Sequence, residues 1–211
     1  MRILVSAGPT REPIDAVRFL SNRSTGRMGI AVAQAAAEAG HEAVLVLGPT
    51  AVEPPPAPVR TIRVETALEM LAALRAELPA ADALVMAAAV ADFRPAEPAA
   101  RKLHKGEMPA ALRLVRNPDI LAELRPLKGS RIFCGFAAET DDVLASAADK
   151  LARKGLDLLV ANDVTKPGAG FAVETNVVTF LRPGAAPEAL PLLPKIDVAR
   201  RLVAALEDLR R

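Results

Sequence analysis

Residues 18 to 29, RFLSNRSTGRMG, place three arginines, two serines, Asn22, Thr25 and two glycines directly ahead of an alanine-rich run. Gly26 and Gly29 flank the start of that run, where the free N–H groups of a helix point at an anion. Ser24 and Thr25 add hydroxyl donors. Asn22 both donates and accepts, which suits a carbonyl or carboxylate that changes character during a reaction. The plain alternative is that Ser24 or Thr25 only caps the helix.

Further along, MAAAVADFRP offers Met86, Ala87 and Ala88, whose small neighbourhood admits a flat ring or a backbone, and then Asp92. Asp92 either accepts from a ligand hydroxyl or amine or caps a turn. RKLHK brings Arg101, Lys102, His104 and Lys105 within five positions, a charge run that otherwise reads as a solvated face. Pro118 and Asp119 open a helix that continues through Ile120 and Leu121, sound chemistry for a helix start. Phe136 ends a strand, where its ring either covers a base or joins the core. Lys150 and Lys154, four apart, share one helix face. Four lysines with an anion-ready helix start point to a polyphosphate ligand. There is neither a His-x-x-x-His pair nor a cysteine spacing, so a transition metal is not expected. Any metal is Mg²⁺ riding on phosphates.

These groups need a scaffold that brings loops together. RILVSA, EAVLVLG, VRTIRV, ADALVMAAA, SRIFCGFA and LDLLVAND read as strands. Between them lie helical runs, one opened by Thr66 and Glu69 at capping-box spacing and one stopped at Gly40. Near-continuous Val, Leu and Ile in the strands predict a doubly wound, mostly parallel, Rossmann-like α/β sheet covered by helices on both faces. Ligands then belong beyond the carboxyl ends of the strands, after Ser6, Ala87 to Ala89, Gly135 and Ala161. Three stretches break the rhythm: a proline-rich connection after Gly48, a long charged loop from Val90 to Ala110 without strand or helix period, and an irregular stretch leading to an antiparallel edge pair. Residues 1–211 read as a single domain.

Bulk properties exclude several classes. The 211 residues carry 27 basic and 25 acidic groups, a net +2, with six Phe and no Trp or Tyr. Neither a long basic stripe nor a set of stacking aromatics is present, which argues against a nucleic-acid partner. No apolar run approaches the roughly 20 residues of a membrane span. The lone Cys134 permits no intrachain disulfide and reads as a buried strand thiol. A cytoplasmic setting is the expectation.

Taken in order, AGPTREPIDAVRFLSNRSTGRMG, AAAVADFRP, RKLHK, NPDILAEL, GFAAET, KLARKGLDLLVANDV and GFAVETNVVTFL resemble the CTP-dependent phosphopantothenoylcysteine synthetase domain of bacterial coenzyme A biosynthesis, across nearly the whole chain. The resemblance implies a ligase that joins 4′-phosphopantothenate to L-cysteine through an acyl-cytidylate, releasing pyrophosphate and then CMP. It implies Asn22 and Lys102 as catalytic residues. It implies nucleotide contacts from Met86, Ala87, Ala88, Asp92, Pro118, Asp119, Ile120, Leu121, Phe136, Lys150 and Lys154, beside the Ser24, Gly26 and Lys105 groups above. Where the family's loop usually reads Lys-x-Lys-Lys, this chain has His104 in place of one lysine. The resemblance further implies Mg²⁺, a fused or associated flavin-dependent decarboxylase, and a homodimer. The segment from Thr165 to Leu181 is the candidate dimer contact, on the strength of Phe171, Val173, Val177, Val178 and Phe180. Two rivals remain on the same fold. A nicotinamide-dependent reductase requires a tight glycine fingerprint, where this chain has AGPTREPID. A non-enzymatic nucleotide-binding module has no need for Asn22 beside a lysine-bearing loop. ATP in place of CTP stays open, because base choice rests on backbone contacts.

Overall fold

The computed structural model describes residues 1–139, 143–163, 168, 170 and 173–210. The chain begins with β1 (Arg2–Ala7), β2 (Arg11–Pro13), β3 (Phe19–Ser21), α1 (Arg27–Glu38), β4 (Glu42–Leu47), β5 (Arg60–Arg63) and α2 (Ala67–Glu77). It continues through β6 (Ala83–Met86), β7 (Phe93–Pro95), β8 (Leu114–Arg116), α3 (Ile120–Leu124), β9 (Ile132–Glu139), α4 (Val143–Lys154) and β10 (Leu158–Asp163). It closes with β11 (Thr175–Asn176), β12 (Val178–Leu181), β13 (Glu188–Ala189), β14 (Leu193–Pro194) and α5 (Lys195–Arg210).

Eight strands make one sheet, ordered β13-β12-β10-β9-β6-β1-β4-β5. From β10 to β5 every pairing is parallel, while β12 and β13 add antiparallel to the other edge. The mostly parallel α/β architecture is thus the one the strand pattern predicts. Alternation along each strand sorts side chains into two cores. Ile3, Val5 and Ala7 join Val32, Ala36, Leu202 and Leu206 of α1 and α5 in one layer. Leu4, Val44 and Val46 join Met70 and Leu74 of α2 in the other. The order of strands reverses beside β1, whose neighbours are β4 and β6, and the crevice above that point is where such sheets take ligands.

Local signals set the helix ends. Thr66 caps α2 by accepting from Glu69 N at 3.2 Å, and Glu69 reaches back to Glu65 N at 2.7 Å, so the box closes one residue early. Asp119 caps α3 by accepting from Ala122 N, which leaves Pro118 just outside the helix. Gly29 lets α1 lie directly on β1: a Cβ there would stand 2.5 Å from Ala7 Cβ and 2.9 Å from Ser6 O.

Two expectations are corrected. The charged stretch after Val90 is not without strand structure, because Phe93–Pro95 pairs antiparallel with Leu114–Arg116. Three residues are too few to show a period in the sequence. A second small hairpin, β2 with β3, precedes α1. The other correction concerns the edge segment. Val178 and Phe180 are buried in this chain's own core, so they do not count toward an exposed contact. Val173 is exposed, and Phe171 lies outside the described residues. The more exposed large apolar side chains include Val17, Phe19, Phe93 and Leu114 on or beside the two hairpins. Among the described residues no helix is long and apolar enough to cross a membrane.

Candidate functional site

The loops after β1 and β6 are stitched together beyond the ends of the strands. Ala89 N donates to Gly8 O at 2.9 Å, Thr10 N to Ala89 O at 3.3 Å, and Ala91 N to Thr10 Oγ1 at 3.0 Å. Ala88 N donates to Ser6 Oγ at 3.3 Å. Asn22 joins the same seam, its Nδ2 donating to Ala89 O at 2.9 Å. The side chain is exposed yet held by backbone from a different strand end. Asn22 is therefore placed at the switch point itself.

Two cavities open along this edge. The larger, about 540 Å³, is lined by Met86, Ala88, Asp92, Pro118, Asp119, Ile120, Leu121, Phe136, Lys150 and Lys154, together with Val90, Ala91, Phe93, Arg116 and Asn117. Its size falls within the range of sites for small molecules and cofactors. Phe136, half-buried, forms one wall; it lies within β9 rather than at a strand end as expected, because the pairing with β10 carries that strand on to Glu139. Lys150 Nζ donates to Phe136 O at 3.4 Å, and Lys154 pairs with Asp119. Burial pushes the Lys154 ammonium below its usual range, partly offset by the Asp92 carboxylate. Asn117 braces the floor, its N donating to Asp92 O and its Nδ2 to Ala91 O, both at 2.8 Å.

The smaller cavity, about 60 Å³, sits against the N-terminus of α1. Ser24, Gly26 and Ala87 line it, and Phe136 is shared with the larger one. Gly26 is the N-cap of α1 at φ 76, a left-handed conformation that favours glycine, and no side chain caps the helix. Ser24 Oγ accepts from Gly26 N at 3.3 Å, ahead of the helical N–H groups rather than on them. The capping alternative for Ser24 is thus not what the structure adopts, and among the described residues no side chain caps the Gly26 N-cap.

Asn162, Asn176 and Lys195 also line this cavity, and the sequence reading did not name them. Asn162 is buried with its Oδ1 unpartnered. Its signal was available, since it follows Ala161 at the carboxyl end of β10. Lys195 had none. Its buried ammonium donates to Gly170 O at 2.9 Å, Thr175 O at 3.2 Å and Val173 O, tying the segment ahead of β11 to the start of α5. Burial lowers its proton affinity.

Lys102 and Lys105 line neither cavity; both are exposed on the loop between β7 and β8. Among the described residues there is no cluster of three or more His, Cys, Asp or Glu side chains suited to a metal. Asp92 and Asp119 both line the larger cavity, Asp119 paired with Lys154, a donor set that fits Mg²⁺ held mainly by phosphate oxygens and water.

The family described as DNA/pantothenate metabolism flavoprotein C-terminal domain matches residues 1–209. The chain belongs to this family. It is 41% identical over 209 residues to the coenzyme A biosynthesis bifunctional protein CoaBC of Bacillus subtilis, covering 99% of this chain and 52% of that protein. With the CoaBC protein of Mycobacterium bovis it shares 45% over 216 residues, covering 97% and 51%. The chain thus spans about half the length of these curated relatives. A crystal structure of the C-terminal domain of a CoaBC protein superposes with a TM-score of 0.84 at 40% identity, covering 99% of this chain and 95% of that one. The motif resemblance, the α/β fold and membership of this family therefore agree.

Proposed function

We propose that the chain catalyses the ligation of 4′-phosphopantothenate to L-cysteine with CTP. The observation that carries this reading is one cavity. Ten residues from four separate stretches of sequence, Met86, Ala88, Asp92, Pro118 to Leu121, Phe136, Lys150 and Lys154, line the same 540 Å³ space. In this reading the base lies against Phe136, the triphosphate is met by Lys150, Lys154 and the start of α1, and Asn22 faces the reacting acyl group.

The chemistry runs in two displacements. A carboxylate oxygen of phosphopantothenate attacks the α-phosphorus of CTP, the bond to the β-phosphate breaks, and pyrophosphate leaves. The cysteine amine then attacks the acyl carbonyl, loses a proton, and the carbon–oxygen bond to CMP breaks. Negative charge grows on the leaving groups in both steps, so preorganised cations and N–H donors contribute more in the transition state than in the ground state. Lys102 supplies such a charge from the loop. Asn22, held at Ala89 O, orients the carboxylate or the acyl carbonyl. Asp92 is the side chain that would hold Mg²⁺, which when bound would neutralise triphosphate charge.

The reading includes a homodimer, for which the segment from Thr165 to Leu181 remains the candidate contact through Val173 and Val177. A fused or associated flavin-dependent decarboxylase is the partner that consumes the product. A pyrophosphate-release assay with each of the four nucleotides, with and without phosphopantothenate and cysteine, tests it. Release with CTP that requires phosphopantothenate is the expected result. Release with ATP alone would move the base preference, and no release with any nucleotide would sink the reading.

A further inference from the structure

Asp15 carries a carboxylate whose side chain is wholly shielded from solvent, an expensive place for a charge unless every lone pair is used. Here all are used. Oδ1 accepts from Val17 N and Arg18 N, each at 2.8 Å, which shapes the turn between β2 and β3. Oδ2 accepts from Arg18 Nη1 and from Leu103 N, each at 3.1 Å. The Val17 N–H, aided by those of Arg18 and Leu103, holds the carboxyl below its usual range, so the charge persists.

The two oxygens thus serve two different segments. One belongs to the hairpin that leads into Asn22; the other reaches 88 residues along the chain to the position next to Lys102. Arg18 strengthens the same join, with Nη2 directed to Leu103 O at 3.4 Å and Nη1 to Met108 Sδ at 3.1 Å. Ala99 N donates to Ile14 O at 2.9 Å, a second tie between the same two segments. On the other side of Lys102, Arg101 forms a two-pronged pair with Glu107 at 2.6 and 2.9 Å, and Glu107 also accepts from His104 N at 2.8 Å. Lys102 therefore stands between two anchored neighbours, on a loop whose tip closes on itself and whose one buried ionic post is Asp15.

We propose that Asp15 is a positioning residue: its buried carboxylate docks the Lys102 loop onto the hairpin that carries Asn22, fixing the two groups relative to each other. This rests on the functional reading only in giving Lys102 and Asn22 their roles. The docking itself is a statement about hydrogen bonds, and it can fail separately.

Asp15→Asn separates the two halves of the post. An asparagine keeps one oxygen to accept from Val17 N and Arg18 N, so the turn survives. Its amide nitrogen, a donor, then meets the Leu103 N–H and the Arg18 guanidinium, which are donors too. Hydrogen exchange read by mass spectrometry should show peptides over 101–108 exchanging about tenfold or more faster, with the 14–21 hairpin and the central sheet unchanged. With CTP as the nucleotide, kcat should fall about tenfold while the CTP dissociation constant moves less than about twofold. Unchanged exchange over 101–108 in a folded Asp15→Asn protein overturns the proposal. Equal loosening of the hairpin also overturns it, because Asp15 would then merely stabilise its own turn. Should Asp15→Asn fail to fold, Leu103→Pro deletes the donated N–H, together with the leucine side chain and the free φ of that position: exchange over 104–108 must rise as above, and a protein as protected as wild type refutes the docking. If the wild-type chain releases no pyrophosphate, the functional reading fails, while the exchange result still stands or falls alone.

Discussion

At the scale of single residues, the expected site divides into groups that line a cavity and three, Asn22, Lys102 and Lys105, that line neither. Lys150 and Lys154 already face the larger cavity, and Lys154 is neutralised in part by Asp119. Lys102 is exposed on its loop, and its proposed role requires that loop to sit over bound substrate. Lys102→Gln keeps length and removes charge. Single-turnover product formation should fall by roughly 10² or more, the scale for loss of one transition-state electrostatic contact. CTP binding measured by titration should weaken far less, since Lys150, Lys154 and the α1 start remain. Near-normal turnover would return Lys102 to the solvated charges. Cys134, by contrast, is a core residue: it is fully buried, and burial drives its thiol well above the ordinary range, so thiolate chemistry is not available to it.

At the scale of elements, the contact between α1 and β1 sets how closely the open helix start approaches the strand ends. Gly29→Ala would press a methyl against Ala7 Cβ and Ser6 O, main-chain and short side-chain atoms with no room to yield. Overpacking of this kind costs about 1–3 kcal/mol, and for a chain of this size the melting midpoint should drop by about 2–12 °C. Nucleotide affinity should fall with it if, as proposed, the start of α1 meets the phosphates. The opposite end of the sheet is pinned by Asp82, which accepts from Arg2 N at 2.8 Å and pairs with Arg210 of α5 at 2.9 Å. The Arg2 N–H is the main reason its carboxyl lies below the usual range. A lowered folded-state pKa gives stability that is complete above the unfolded value of about 4 and is lost as pH falls through the folded one. Denaturant midpoints taken between about pH 5 and pH 2.5 should therefore decline less for Asp82→Asn than for wild type. Parallel declines would show that Asp82 does not contribute to the acid limb.

At the scale of the whole molecule, the antiparallel edge and the parallel sheet share one core. Phe180 on β12 is buried within the layer that holds α1 and α5. Phe180→Ala should cost about 3–5 kcal/mol of folding stability, the usual range for emptying a large core site, and leave the sedimentation coefficient of the folded protein unchanged. A change in association without a loss of stability would restore Phe180 to an intermolecular contact. The apolar strand runs, the caps at Thr66 and Asp119 and the stop at Gly40 are local, and local rules were enough to read them. The same holds for the α/β class, since a right-handed parallel sheet leaves few other arrangements. The short hairpin strands were not legible, because three residues carry no period, and in β7 and β8 the pairing partners Phe93 and Arg116 are also far apart in the chain. Nor could the sequence say that Val178 and Phe180 face inward, as that depends on β12 lying against β10. Lys195 is the clearest case. A lysine opening a helix reads as solvent-facing, and only the returning carbonyls of Gly170, Val173 and Thr175 make it a buried clasp. Chemistry that one stretch carries alone is written in the sequence; partnerships between distant stretches are decided by the sheet that brings them together.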